Sequence, residues 1–132
     1  MAQEHAISWF EIPTTDLDRA QRFYETIFGV PLVSMDMPGM PMRVFPVENM
    51  MTGVSGALLH APEFNRPQSQ GTMVYLNANP DLQTVLDKVT AAGGSIEMPK
   101  TEITPEIGFM AVIIDTEGNR VGLHSLPANI PS

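Results

Sequence analysis

Apolar positions along the chain alternate between strand and helix spacing. Residues 6–12 are rich in β-branched and aromatic side chains and end at Pro13, which predicts a first strand. Thr14 and Thr15 are then candidates to cap a helix that Gly29 ends. The apolar residues of this helix recur every three to four positions: Leu17, Ala20, Phe23, Tyr24, Ile27 and Phe28. Short strands are predicted at 30–34, 43–47 and 54–60.

The second half of the chain repeats this order after a polar, proline-containing connector at residues 61–70. A strand is predicted at 72–78, and a helix then buries Leu82, Val85, Leu86 and Val89 before Gly93. The last three strands are predicted at 95–98, 109–114 and 120–125.

The spacing of two landmarks indicates an internal repeat. Gly93 follows Gly29 by 64 residues, and His124 follows His60 by the same interval. The pattern predicts an α+β fold of two tandem βαβββ modules. Residues 1–132 are interpreted as a single domain, with module one at about 5–60, a linker at 61–70 and module two at about 71–126.

Composition narrows the range of partners. The chain of 132 residues has a formal charge of −8, which disfavours nucleic acid and anionic membranes as partners. The absence of cysteine excludes disulfides, thiolate metal sites and cysteine nucleophiles, and it suits a reducing compartment. No apolar run reaches the length of a membrane span, and the first residues lack a signal-peptide pattern. We therefore expect a cytoplasmic location.

Two segments of the sequence resemble the vicinal oxygen chelate superfamily, which includes glyoxalase I, bleomycin-resistance proteins and extradiol dioxygenases. The first is WFEIP at 9–13 with DLDRA at 16–20, FY at 23–24 and FG at 28–29. The second is DTEGNRVGLH at 115–124, which is similar to the last hairpin of that superfamily. The resemblance implies that the two βαβββ modules form a curved mixed sheet around a central pocket, with a helix packed outside each module. It also favours a homodimer. Because the superfamily contains lyases, epimerases, dioxygenases and plain binders, it does not define the chemistry.

Alternate residues of a strand point to opposite faces, so each predicted strand can be divided into a core side and a pocket side. The predicted pocket wall combines the second sides of the first, fourth, fifth and eighth strands: Trp9, Glu11, Leu58, His60, Met73, Tyr75, Arg120 and His124. An apolar wall with a few polar groups is typical of a small-molecule site. The alternative is that some of these faces pack against a partner subunit.

The resemblance also implies where a metal would bind. Metal-dependent members carry histidine or glutamate on the first, fourth, fifth and eighth strands, positions that correspond here to Trp9, the vicinity of Leu58, the vicinity of Gly71, and Gly122. None of these residues ligates a metal through its side chain, so the usual site is expected to be absent and no cofactor is expected. The alternative is a displaced divalent-metal site of two histidines and one carboxylate: His60, His124 and Glu11.

Methionines crowd the stretch between the second and fourth strands: Met35, Met37, Met40, Met42, Met50 and Met51. Thioethers bind Cu(I), but methionine is also an adaptable residue of loops over apolar pockets. Without cysteine or an export signal, we interpret residues 35–42 as a loop and hypothesise that it is a flexible lid.

These observations predict a metal-free protein of the glyoxalase and bleomycin-resistance type that binds a small molecule. Trp9 would offer a stacking surface to a planar or apolar ligand, beside Leu58, His60, Met73, Tyr75 and Arg120. The alternative is an enzyme, a lyase, isomerase or dioxygenase acting on a small oxygen-rich substrate. In that case Glu11 and His124 are the candidate acid and base.

Overall fold

The computed structural model describes residues 5–37 and 40–128 and confirms the α+β fold. Its elements follow the order strand, helix, three strands, twice over: β1 (Trp9–Pro13), α1 (Leu17–Phe28), β2 (Val33–Met37), β3 (Met40–Val44), β4 (Ser55–Leu59), β5 (Tyr75–Asn77), α2 (Leu82–Val89), β6 (Ser95–Thr104), β7 (Gly108–Ile114) and β8 (Arg120–Ser125).

Each βαβββ module builds its own four-stranded mixed sheet. The strand orders are β1-β4-β3-β2 and β5-β8-β7-β6, which are the same arrangement repeated. In both sheets the first strand runs parallel to the last strand of its module, and the other pairs are antiparallel. The first strand of each module, β1 or β5, therefore lies at an edge of the sheet of that module.

Both helices are amphipathic and pack their apolar sides into one shared core with the two sheets. An aspartate caps each of them: Asp16 accepts a hydrogen bond from the backbone N–H of Arg19, and Asp81 accepts one from Gln83. The predicted cap at Thr14 is wrong, because its hydroxyl donates to the Leu59 carbonyl at 3.0 Å instead. No helix within the described residues is long and apolar enough to span a membrane.

The methionine-rich segment is a hairpin of paired strands where the sequence pattern predicts a loop. Met35 pairs with Met42 across β2 and β3, and β3 pairs in turn with β4. Pro41 is tolerated because the pairing with β4 begins only at Met42, so no ladder bond to β4 is lost there. Residues 38–39, the centre of the hypothesised lid, lie outside the described residues.

A buried carboxylate joins the two modules. Asp115, at the end of β7, is buried and accepts hydrogen bonds from the Tyr24 hydroxyl of α1 at 2.8 Å and from the Asn119 side-chain amide at 3.0 Å. The same amide of Asn119 donates to the Pro13 carbonyl at 2.8 Å. Burial raises the pKa of Asp115, and burial together with the neighbouring Asp115 raises that of Tyr24. The two modules thus share one hydrogen-bonded polar cluster inside the core.

Glu117 forms a second connection between the modules. Its carboxylate accepts hydrogen bonds from the backbone N–H groups of Thr15 and Asp16 at 2.8 and 2.7 Å, and it forms a salt bridge with Arg19 at 2.8 Å. A carboxylate at the N-terminus of α1 is favoured by the helix dipole. Burial by itself would raise the pKa of Glu117, but the hydrogen bonds from Arg19 and Asp16 outweigh it and lower the pKa to about 2.

The variant Glu117→Gln is expected to lower the free energy of unfolding by about 1 to 3 kcal/mol at neutral pH, because the backbone N–H groups of Thr15 and Asp16 and the guanidinium of Arg19 lose a charged acceptor. The folded-state pKa lies below the ordinary value of 4.5. The carboxylate therefore stabilises the fold above about pH 4.5, and this stabilisation disappears as the pH falls towards 2. Urea unfolding of both proteins from neutral pH down to about pH 3 measures the difference.

Glu102→Gln is the matched control, since Glu102 is an exposed residue of β6 and the charge change is the same. Asp115 has a raised pKa, so its contribution to the free energy of unfolding changes with pH in the opposite direction to that of Glu117. Comparing the two variants at the same pH removes this contribution, because both contain Asp115. Equal stability of Glu117→Gln and Glu102→Gln at neutral pH would show that Glu117 does not join the modules.

Candidate functional site

A cleft of about 860 Å³ is lined by β1 of module one, by the connector between the modules, and by β5 and β8 of module two. Its walls are formed by residues of 7–13, of the connector 62–70, of 72–75 and of 119–121. This volume is in the range of pockets that hold small organic ligands. The cleft therefore depends on how the junction between the modules positions these four segments.

Trp9 and Glu11 form the β1 side of the cleft. Alternation along β1 buries Ile12 in the core and leaves Trp9 facing the cleft, with 37% of the residue exposed. The indole N–H of Trp9 donates to a Glu11 carboxylate oxygen at 3.3 Å. This contact orients the ring and leaves its faces available for stacking.

Met73, Tyr75 and Arg120 form the opposite side. Arg120 Nε donates to Glu97 at 2.9 Å, and a second guanidinium nitrogen lies 3.6 Å from the sulfur of Met73. Tyr75 is 46% exposed, and its ring covers Gly122 of the adjacent strand β8. Five of the eight predicted site residues thus lie around one cleft: Trp9, Glu11, Met73, Tyr75 and Arg120.

The connector forms a third side, which strand periodicity did not reveal. Phe64 lines the cleft and is 73% exposed. The connector is tied to the module junction, because the Gln68 backbone N–H donates to the side-chain oxygen of Asn119 at 3.1 Å. The signal in the sequence is an aromatic residue, Phe64, inside an otherwise polar segment.

Leu58 and His60 lie outside the cleft, so the predicted orientation of β4 is wrong. Leu58 is fully buried in the core that contains the helices, whereas Ala57 and Leu59 pack together on the other face of the sheet. Because β4 is apolar on both faces, alternation gives no sign of which side faces the core. The His60 ring donates from Nδ1 to the Thr14 carbonyl at 2.9 Å and so stabilises the turn after β1.

His124 also lies outside the cleft. It lies on the same face of β8 as Arg120, but it is four residues further along the strand, so that about 13 Å separates the two positions. Its Nε2 donates to the Ile107 carbonyl at 2.9 Å, in the turn between β6 and β7. In the repeated arrangement, His124 corresponds to Leu59 and not to His60. Leu59 pairs with Pro13, the last residue of β1, and His124 pairs with Asn77, the last residue of β5. Glu11 and His124 are therefore not brought together as an acid and base pair.

The residues at the superfamily's metal positions do not fit a metal ion. Within residues 5–37 and 40–128, no group of three histidine, aspartate or glutamate side chains could hold one. At Gly122, a Cβ atom would lie 2.4 Å from the Tyr75 ring, so a ligating side chain there would require Tyr75 to move. His60 and His124 each bond a different backbone carbonyl, and neither joins Glu11. The chemistry available in the cleft is that of stacking surfaces, the carboxylates of Glu11 and Glu63, guanidinium groups and amides.

Sequence comparison identifies relatives over most of the chain. A glyoxylase-like domain-containing protein of Didymella fabae is 29% identical over 131 residues, covering 92% of this chain and 94% of that protein. A putative glyoxylase of Mycobacterium bovis is 30% identical over 120 residues, covering 88% of this chain. The chain spans only 44% of the length of the mycobacterial protein.

Comparison of structures identifies the same fold. A glyoxalase/bleomycin resistance protein from Albidiferax ferrireducens superimposes with a TM-score of 0.68 at 14% identity, covering 93% of this chain and 100% of that one. The family model of the Glyoxalase/Bleomycin resistance protein/Dioxygenase superfamily matches residues 6–123. The repeated βαβββ modules, the cleft between them and these matches lead to one conclusion: the chain belongs to the glyoxalase/bleomycin resistance protein/dioxygenase superfamily.

Proposed function

We propose that the protein binds a small organic molecule in the cleft between its modules, without a metal ion. The observation that carries this proposal is a cleft of about 860 Å³ whose walls combine exposed aromatic rings with a few polar side chains. Apolar surface with a small number of placed polar groups provides both affinity and orientation for a ligand.

The residues assigned to ligand binding are Trp9, Met73, Tyr75 and Arg120, with Glu11 as the polar group beside Trp9. The indole of Trp9 provides a flat apolar surface, and Tyr75 faces the same cleft from the other module. We add Phe64 to this set because the connector brings it to the same cleft.

An enzymatic function is the second candidate. The relatives from Didymella fabae and Mycobacterium bovis are described as glyoxylase-like or putative glyoxylases, which favours lyase or isomerase chemistry. Acid–base catalysis here would rest on Glu11 without His124, which bonds Ile107 outside the cleft. We favour the binding function, since the Glu11 carboxylate accepts from the neutral indole of Trp9, and no hydrogen bond of the described residues joins it to Glu63, the second carboxylate of the cleft, as an acid and base pair.

The binding function includes two further proposals. We expect a cytoplasmic protein, because a chain without cysteine is suited to a reducing compartment. We also expect a homodimer, because apolar residues of the outer strands, Val33, Met35 and Met98, are exposed in the single chain. Sedimentation equilibrium should give twice the mass of 14.4 kDa, and a monomer would contradict the second proposal.

Filling the cleft should abolish ligand binding. Thr72 lines the cleft and is exposed, so Thr72→Tyr places a ring there without disturbing the core. Fragments selected from an aromatic library because they raise the melting temperature of the unmodified protein should have no such effect on this variant. Quenching of Trp9, the single tryptophan of the sequence, reports binding independently.

The matched control is Thr84→Tyr, because Thr84 is an exposed residue of α2 that does not line the cleft. This variant should bind the same fragments as the unmodified protein. If Thr72→Tyr and Thr84→Tyr respond equally to every fragment, the ligand does not occupy this cleft and the proposal fails.

The proposal of a metal-free site makes a separate prediction. Elemental analysis of the purified protein should find no stoichiometric divalent metal, and Ni(II), Zn(II), Mn(II) and Fe(II) should each change the melting temperature by less than about 1 °C. One equivalent of bound metal that is lost in His124→Ala would contradict this prediction and favour the enzyme.

A further inference from the structure

Three aromatic side chains on different segments are exposed towards the same cleft: Trp9 of β1, Tyr75 of β5 and Phe64 of the connector. Large aromatic residues are usually buried, and their exposure in one concavity indicates a surface that is covered when a ligand binds. Rings on separate walls suit a flat ligand that is contacted by more than one of them.

The position of Phe64 is determined by its own turn. The backbone N–H groups of Phe64 and Asn65 both donate to the Ala61 carbonyl at 2.8 Å. The guanidinium of Arg66 donates to the Pro62 carbonyl at 2.7 Å across the same turn. Phe64 is therefore held at the rim of the cleft by a hydrogen-bonded turn, and its exposure is not that of a loose chain end.

The charged groups of the cleft are not equally engaged. Four charged side chains line the cleft: Glu11, Glu63, Arg66 and Arg120. Arg120 is neutralised by Glu97 at 2.9 Å, and Arg66 donates to the Pro62 carbonyl at 2.7 Å within the turn that carries Phe64. The Glu11 carboxylate, by contrast, accepts from the neutral indole N–H of Trp9, and no lysine, arginine or histidine of the described chain forms a salt bridge with it. A carboxylate beside an aromatic ring is the combination that recognises an organic cation, because the ring face and the carboxylate both attract positive charge.

The charge of the whole chain acts in the same direction. With a formal charge of −8, the protein attracts cations and repels anions as they approach the cleft. An anionic ligand would also have to compete with Glu97 for Arg120, and the other arginine of the cleft, Arg66, lies on the same connector as the carboxylate of Glu63.

We propose that the cleft takes a flat aromatic cation, with its ring plane against Trp9, Tyr75 and Phe64 and its positive nitrogen near the carboxylate of Glu11. This inference rests on the proposed function, because it names the class of ligand for the same cleft. Glu11 then selects the ligand by charge, and the three rings select it by shape.

Three compounds with the same three-ring plane and different charges test this proposal. N-Methylacridinium is a cation, acridine is neutral at slightly alkaline pH, and anthracene-9-carboxylate is an anion. Isothermal titration calorimetry of the full chain should give about tenfold tighter binding of the cation than of neutral acridine, and weaker binding still of the anion. The preference for the cation should decrease at high salt.

Two variants assign the preference to Glu11. Glu11→Gln retains an acceptor for the Trp9 indole, and it should weaken binding of N-methylacridinium by about threefold to tenfold while leaving acridine unchanged within about twofold. Glu102→Gln removes the same charge from an exposed position of β6 outside the cleft and should change neither. Phe64→Ala should weaken the cation and acridine alike, because it removes stacking surface only.

The outcomes separate this inference from the function on which it rests. Equal or tighter binding of the anion, with inhibition by Thr72→Tyr, would overturn the cation assignment and leave a small-molecule cleft in place. An unchanged preference for the cation in Glu11→Gln would also overturn it. Failure of all three compounds and of every library fragment to bind would overturn the proposed function itself.

Discussion

The buried carboxylate of Asp115 is the interaction on which the arrangement of the two modules depends. It accepts hydrogen bonds from Tyr24 of module one and from Asn119 of module two, so each module supplies a donor to the same group. Asn119 extends this cluster, since its amide also contacts the Pro13 carbonyl at the end of β1 and the Gln68 N–H of the connector. Three walls of the cleft are consequently positioned by one side chain. A change that displaces Asn119 would move these walls apart, even if each module kept its own sheet.

The segment at residues 115–119, which carries part of the resemblance to the superfamily, therefore has a structural role. Within DTEGN at 115–119, Asp115 and Asn119 form the buried cluster, and Glu117 accepts from the backbone N–H groups of Thr15 and Asp16 just before α1. These residues stabilise the relation between the modules and do not touch the open part of the cleft, apart from Asn119. This explains in physical terms why the motif identifies the fold without identifying a reaction. In the binding function that we propose, specificity lies instead in side chains of the cleft such as Trp9 and Phe64.

Much of the fold could be predicted from the sequence because periodicity and turn residues agree with the tertiary structure. The bounds of β8 are those predicted, and α1 ends at Gly29, whose φ of 70° lies in the left-handed region that favours glycine. The strands of the β2 and β3 hairpin were predicted at 30–34 and 43–47 and lie closer together, at Val33–Met37 and Met40–Val44. The difference arises because Pro38 and Pro41 signal a loop, although Pro41 has no partner in β4. A proline indicates only the local conformational preference of the backbone, whereas strand pairing depends on residues that are distant in sequence.

The candidate site could be predicted only where a strand has one polar and one apolar side. This condition holds for Trp9 and Glu11 in β1, and the structure brings them together as alternation implies. It does not hold for β4, which is apolar throughout, and Leu58 consequently lies in the core. Phe64 has no periodic context at all, and His124 shows that the correct face is insufficient when the residue lies too far along the strand.

The most direct test of this account is the ¹H–¹⁵N correlation spectrum of the protein titrated with N-methylacridinium. The account predicts that the indole N–H resonance of Trp9 shifts together with the backbone resonances of Phe64 and Tyr75, and that those of α2 stay in place. Saturable shifts confined to β6 and β7, with an unmoved Trp9 indole, would contradict the claim that the cleft between the modules is the binding site.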